Sequence, residues 1–150
     1  MNKRKANIND IPVLVELRKK QLIDEGEELP SASSYDQQLT DYFTSSISDE
    51  TFISWIIEDG GEIVATSGLC FYSLPPSFSN PSGRNAYIAN MYTKPEYRRR
   101  GIAAELLYMV IAEAKERGYT VARLHTSEYG RSIYQKAGFT YSEDYMAMRI

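Results

Sequence analysis

At 150 residues, 43% hydrophobic and 25% charged, the chain has the length of one folded domain spanning residues 1–150 and is too short for two independent cores. A net charge of −3 speaks against a general nucleic-acid binder, and no apolar run of about eighteen residues is present to cross a bilayer. The single cysteine, Cys70, cannot form an internal disulfide or pair as a metal ligand, which suits a reducing compartment.

Met1 to Ala6 lead into an amphipathic helix rather than an apolar segment with a cleavage site, so a cytoplasmic location is expected. Lys3 to Ile8 suit a short strand, after which Asn9 or Asp10 can cap a helix carrying Ile11, Leu14, Val15, Leu17 and Leu22 on one stripe and ending near Gly26. A loop from Gly26 to Ser34 precedes a second helix with Tyr35, Leu39, Tyr42, Phe43 and Ile47 at helical spacing. Thr51 to Glu58 reads as a strand, Asp59-Gly60-Gly61 as a hairpin turn and Glu62 to Leu74 as the return strand. After a Pro-, Ser- and Asn-rich loop from Pro75 to Asn85, Ala86 to Thr93 forms another strand, ended by Lys94-Pro95.

The strongest helix signal runs from Ile102 to Arg117, with Leu106, Leu107, Val110, Ile111 and Ala114 on one face and Gly118 as the stop. Thr120 to Thr126 then reads as a strand, Gly130 to Ala137 as a short helix and Tyr145 to Ile150 as a final alternating strand. A helix between two strands predicts a parallel crossover joining the Tyr87 and Val121 strands within a sheet otherwise built of hairpins, hence a mixed α/β fold.

Arg98-Arg99-Arg100-Gly101-Ile102-Ala103-Ala104 stands where a strand gives way to a helix, a position that presents free backbone N–H groups to an anion. Gly101 and the two alanines permit close approach, the helix dipole favours negative charge, and arginines offer charge-assisted hydrogen bonds. No Gly-Lys-Ser/Thr follows, so this is not a Walker A loop. Arg98-x-x-Gly101-x-Ala103 resembles the Q/R-x-x-G-x-G/A signature of the GNAT N-acetyltransferases, and Thr93 to Tyr97 resembles the stretch that precedes it. Ile133-Tyr134-Gln135-Lys136-Ala137-Gly138-Phe139 is similar to the family's L-Y-x-K-x-G-F segment. Where the family often has Asn and Ala, this chain has Ser127 and Gly130.

The resemblance implies a GNAT-like, mostly antiparallel twisted sheet with a central parallel crossover and flanking helices. It implies that acetyl-CoA is the acetyl donor, with its pyrophosphate on the backbone of Arg98 to Ala104. A bulge near Asn90 would free backbone amides around Met91, Tyr92 and Thr93 for the pantetheine and the thioester carbonyl. Tyr134 corresponds to the family's general acid and also borders the cofactor; Ser127 offers a hydroxyl to the pantetheine arm or caps a helix. Glu25, Glu27 and Glu28 fall where the family's first two helices line the acceptor site, and could attract an amine or simply be solvated.

The base that deprotonates the amine is left open. His125 lies in an apolar strand pattern and reads as a core histidine; Cys70 reads as a small buried hydrophobe, which favours direct attack in a ternary complex over an acetyl-cysteine route and requires no metal. Trp55, Phe71 and Tyr72 wall an acceptor pocket or belong to the core. The expected partner is a small-molecule or peptide amine, with no nucleic acid and no membrane, and a homodimer is open. Two other readings stand beside this one: a catalytically inactive CoA-binding sensor, and an anion-binding surface made by Arg98 to Arg100.

Overall fold

The computed structural model describes residues 1–31, 34–142 and 146–150. Among them five strands, β1 (Asn2–Lys5), β2 (Phe52–Asp59), β3 (Glu62–Ser73), β4 (Arg84–Thr93) and β5 (Ala122–Leu124), form one sheet in sequence order. The pairs β1–β2, β2–β3 and β3–β4 are antiparallel, and β4–β5 is parallel. The described helices are α1 (Ile11–Asp24), α2 (Ser34–Ser48), α3 (Ile102–Glu116) and α4 (Arg131–Lys136). This is the mixed α/β sheet that the sequence predicts, with α3 as the crossover.

Alternation along the strands gives the sheet two apolar faces. Phe52 and Ile56 meet Ile11, Leu14, Leu17 and Phe43 of α1 and α2 on one face. Ile57, Ala65, Leu69, Ala86 and Ile88 face the opposite way, against Ile102, Leu106, Leu107 and Val110 of α3. The face of α3 toward the sheet is the one its apolar spacing predicts, and Gly118, at φ +79°, ends the helix with its N–H on the Lys115 carbonyl (2.9 Å).

The first strand is shorter than expected. The Asn7 side chain accepts from the Asn9 N–H (2.9 Å) and the Asp10 carboxylate from the Asn7 N–H (2.8 Å), so a capping box opens a 3-10 turn at Ile8 that leads into α1. Capping thus falls to Asn7 and Asp10, not Asn9. The last parallel strand is also short, three residues against the seven predicted. Of the expected strand from Tyr145 to Ile150, Tyr145 lies outside the described residues; 146–150 have no regular structure, and Met146, Met148 and Ile150 are exposed.

The pairing of β3 with β4 is interrupted once. Thr66 pairs with Tyr92 but Gly68 with Ala89, so β4 carries one more residue than β3 across this interval, a bulge at Asn90 and Met91. Asn90 takes the left-handed conformation, φ +52°, and is buried.

Candidate functional site

Beyond Thr93 the chain makes a 3-10 turn, Pro95–Tyr97, then passes through Arg99 at φ +63° and Gly101 at φ +80° before α3 begins. Gly101 offers no side-chain cap, and the first helical amide with a partner in this turn is that of Glu105, on the Gly101 carbonyl at 3.0 Å. The amides of Ile102, Ala103 and Ala104 precede it and by helix geometry lack intrahelical acceptors. A Cβ on Gly101 would meet open space, so the mouth of this N-terminus is clear. It is a cradle for an anion made by backbone.

The arginines are arranged differently from a simple basic patch. Arg98 is turned back onto the protein: Nε donates to the Thr93 carbonyl (2.9 Å), Nη2 donates to Asp24 (2.5 Å), and the guanidinium lies over the Tyr92 ring. Arg100 donates to the Glu96 carbonyl (2.8 Å) and covers Tyr97. Both side chains brace the turn, and Arg99, exposed, is the one of the three without a hydrogen bond or ion pair among the described residues. Asp24 escaped the sequence reading, since nothing local links it to an arginine 74 positions away.

The strand leading into the turn is splayed. β4 and β5 pair only from Ala86–Ala122 to Ile88–Leu124, and the bulge follows at once. The parallel partner therefore ends where β4 departs from regular pairing, leaving the edge of Asn90 and Met91 toward the gap. Tyr92 and Thr93 rejoin β3 opposite Thr66 and Ala65, and the Thr93 hydroxyl is buried with no partner among the described residues.

Tyr134 lies on α4 across this gap, half-buried, its ring edge-on to Phe139 and packed with the cluster beneath α3. Burial pushes its phenol above the ordinary tyrosine range, and the carboxylate of Glu25 pushes the same way. Glu25, at the end of α1, is thus near enough for Tyr134 to feel it; its carboxylate accepts from Gln21 Nε2 at 2.9 Å. Gly130 allows the packing: a Cβ there would sit 3.1 Å from the Tyr134 ring and 3.2 Å from the Thr126 hydroxyl. Ser127 acts locally, its carbonyl accepting from the Gly130 N–H at 3.1 Å.

Glu27 and Glu28 stand apart from Glu25. With Lys19, Leu29, Tyr35 and Arg149 they line a shallow cavity of about 370 Å³ beside α1. Cys70, on β3, contacts the Tyr42 hydroxyl (3.5 Å), and burial pushes its thiol up, so it stays protonated as expected of a packing residue. Trp55 and Phe71 lie on the α3 side, Phe71 stacked on Tyr119, and are core rather than pocket walls. His125 corrects the sequence reading: it follows the end of β5, is exposed as Arg123 within that strand is, and is hydrogen-bonded through Nδ1 to the Tyr87 hydroxyl. The sequence places Tyr87 on a strand of the parallel pair but marks no partner for its hydroxyl, one of twelve tyrosines with no local feature to single it out.

A model of the acetyltransferase (GNAT) family matches residues 14–139. The chain is 32% identical over 74 residues to thialysine N-epsilon-acetyltransferase of Bos taurus, covering 49% of this chain and 41% of that protein. It is 30% identical over 105 residues to N-acetyltransferase 8 of Rattus norvegicus, covering 67% and 45%. The matched part thus spans less than half the length of these curated relatives. A crystal structure of a predicted acetyltransferase from Clostridium acetobutylicum, with acetyl-CoA, superposes with TM-score 0.93 at 40% identity over 99% of this chain and 95% of that one. A GCN5-related N-acetyltransferase from Ralstonia eutropha JMP134 gives TM-score 0.91 at 28% identity over 99% and 97%.

Proposed function

This chain belongs to the GNAT acetyltransferase family, and on that footing we propose that it transfers the acetyl group of acetyl-CoA to a primary amine by direct attack in a ternary complex. The observation that carries the reading is the uncapped, sterically open start of α3, standing directly after a bulged strand and across a gap from Tyr134. The backbone of Arg98 to Ala104 holds the pyrophosphate, with Arg99 reaching the charge and Arg98 and Arg100 keeping the turn in shape. Amides of the Asn90–Thr93 segment hold the pantetheine and polarise the thioester carbonyl, stabilising the oxyanion as it forms. Tyr134 gives its proton to the departing sulfur. A phenol raised by burial stays protonated until the thiolate, more basic in a dry site, appears.

Direct attack is favoured because Cys70 is held as a thiol beside Tyr42, and this route needs no metal. Glu25, close to Tyr134, and Glu28 beyond it draw a cationic amine toward the gap. The bovine relative's name makes thialysine a sensible first acceptor to try, alongside peptide and small-molecule amines. We further propose a single domain working in the cytoplasm, with a homodimer through the loop after Pro75 or the C-terminal residues as its open oligomeric form; none of the described helices is long and apolar enough to cross a membrane.

The test is titration calorimetry with acetyl-CoA on the natural chain and on Gly101→Glu, with Gly101→Ala as a neutral control for the strain of a left-handed residue. The expected result is micromolar binding that Gly101→Glu abolishes and Gly101→Ala retains in part. An absence of binding by the natural chain would overturn the donor assignment.

A further inference from the structure

One stripe of α1 carries three polar side chains in line. Arg18, Gln21 and the C-capping Glu25 are spaced by three and four residues, so they lie one above another on the same face of the helix. Gln21 is buried and bonded at both ends: its side-chain carbonyl accepts from Arg18 Nη1 (3.2 Å) and its Nε2 donates to the Glu25 carboxylate (2.9 Å). A buried amide is stable when both ends have partners, so Gln21 holds the cation and the anion one carboxamide apart. The other charged residues of the helix are neutralised, Lys19 by Asp36, Lys20 by Glu16 and Asp24 by Arg98; Arg18 and Glu25 enter no ion pair among the described residues.

The stripe runs along the reacting centre. α1 lies against β4, and the bond from Arg98 to Asp24 (2.5 Å) pins its end to the turn before α3. Glu25 is close enough to Tyr134 for the phenol to feel its charge. At the other end Arg18 is close enough to be felt by Tyr42 and Cys70, on the face of the sheet that α1 and α2 cover. Cys70 pairs in register with Tyr87, just ahead of the bulge. The stripe therefore extends from Tyr134 back over the sheet in front of the bulge.

We propose that this stripe is the acceptor subsite for a zwitterion, with Glu25 taking the ammonium beside Tyr134 and Arg18 taking a carboxylate at the acceptor's other end. The proposal rests on the transferase reading and narrows its acceptor from a primary amine to an ω-amino acid. The α-amine of an ordinary amino acid does not fit: its ammonium and carboxylate share one carbon, whereas here the two charges stand a whole carboxamide apart with a hydrogen bond at each end. A chain of several methylenes spans them. The guanidinium has five N–H donors and uses one on Gln21, which leaves donors for a carboxylate. In the transfer the ammonium loses one proton to water, its lone pair forms the C–N bond, the C–S bond breaks and sulfur takes the proton of Tyr134; the second nitrogen proton restores that phenol. The acetylated nitrogen is uncharged, so Glu25 no longer holds it and the product loosens.

Two acceptors test the assignment, 5-aminopentanoate and 5-aminopentanamide, alike in length and amine and differing in the carboxylate. Release of free CoA thiol is followed at varied acceptor concentration, with acetyl-CoA affinity measured for each protein. The natural chain is expected to favour the carboxylate about 10- to 100-fold in kcat/KM, the range of a hydrogen bond to a charged group, with the difference in KM. Arg18→Gln should bring that ratio within about threefold by raising KM for 5-aminopentanoate, and Arg18→Lys should restore part of it. Glu25→Gln should raise KM for both acceptors alike and keep the ratio. A natural chain indifferent to the carboxylate, a preference that survives Arg18→Gln, or turnover of neither acceptor by a chain that binds acetyl-CoA would overturn the assignment. So would a Glu25→Gln effect confined to one acceptor. Failure of the natural chain to bind acetyl-CoA would instead sink the transferase reading.

Discussion

Tyr134 holds its proton for two reasons of different origin. Its ring is packed between Phe139 and the cluster beneath α3, and a carboxylate, Glu25, approaches from the end of a helix more than a hundred residues earlier. Tyr134→Phe keeps the packing and removes only the proton. It is expected to lower kcat about 100-fold while leaving acetyl-CoA affinity within about twofold, checked by steady-state kinetics and calorimetry; unchanged turnover would remove the residue from the reaction. Tyr134 was legible in the sequence because it sits inside a recognisable segment ending at Gly138. His125 was not, because Leu124 beside it suggests an interior strand, whereas β5 is so lightly covered that its middle residue, Arg123, is exposed as His125 is. The pairing of Tyr87 with His125 depends on a parallel register that no local pattern encodes.

At the scale of elements, the loop between β3 and β4 is built rather than slack. The Leu74 N–H donates to the Gly83 carbonyl (2.8 Å), buried Asn80 donates to the Arg84 carbonyl (3.0 Å), and buried Asn85 donates to the Gly83 carbonyl (2.9 Å). Gly83 has φ +67°, and a Cβ on it would collide with the Leu74 carbonyl. Gly83→Ala should therefore destabilise the chain by about 3 kcal/mol, combining backbone strain with a clash in a hydrogen-bonded turn. Thermal unfolding would report this as a fall of about 5–10 °C in Tm, and a Tm within a degree of the natural chain's would contradict the account. Composition marked this segment as a loop but could not reveal its internal bonds, which join residues through the fold of the turn itself. The helices were easier to read: α3 repeats apolar residues at helical spacing over its whole length and is closed by glycine. The ends of the sheet were harder, since at Asn7 a capping box competes with strand extension and wins.

For the molecule as a whole, the N-terminal strand is tied down by charge. Arg4 donates to both carboxylate oxygens of Asp10 (2.7 and 2.9 Å) and to Glu58 on β2 (3.0 Å through Nε), joining β1, the start of α1 and the sheet. These hydrogen bonds hold the carboxyls of Asp10 and Glu58 below their ordinary range. At Glu113 burial pulls upward, yet Lys5 and Arg117 prevail and hold it low. Groups depressed in this way stabilise the fold above their unfolded values, about 3.9 for Asp and about 4.3 for Glu, and lose that contribution as pH falls through the lower folded values. The midpoint of urea unfolding should accordingly be lower at pH 3 than at pH 7, and Asp10→Asn should be less stable at pH 7 but lose less on acidification. Equal midpoints at the two pH values would mean that these pairs are inert. The amino-acid pattern foretold the layers of this architecture but not this brace, whose members come from three separate elements.

The extra residue in β4 also changes the parity of the strand. In an uninterrupted strand, residues an odd number apart point to opposite faces. Here Ile88 and Met91 both pack on the α3 side, and Tyr87 and Tyr92 both lie toward α1 and α2. The bulge is in effect a frameshift in three dimensions, letting one strand present two aromatic residues to the same compartment from either side of the gap. Chain length between Tyr87 and Tyr92 therefore decides which side chains face that compartment as firmly as their identity does. Dropping Asn90 would leave composition almost untouched and turn one half of the strand inside out.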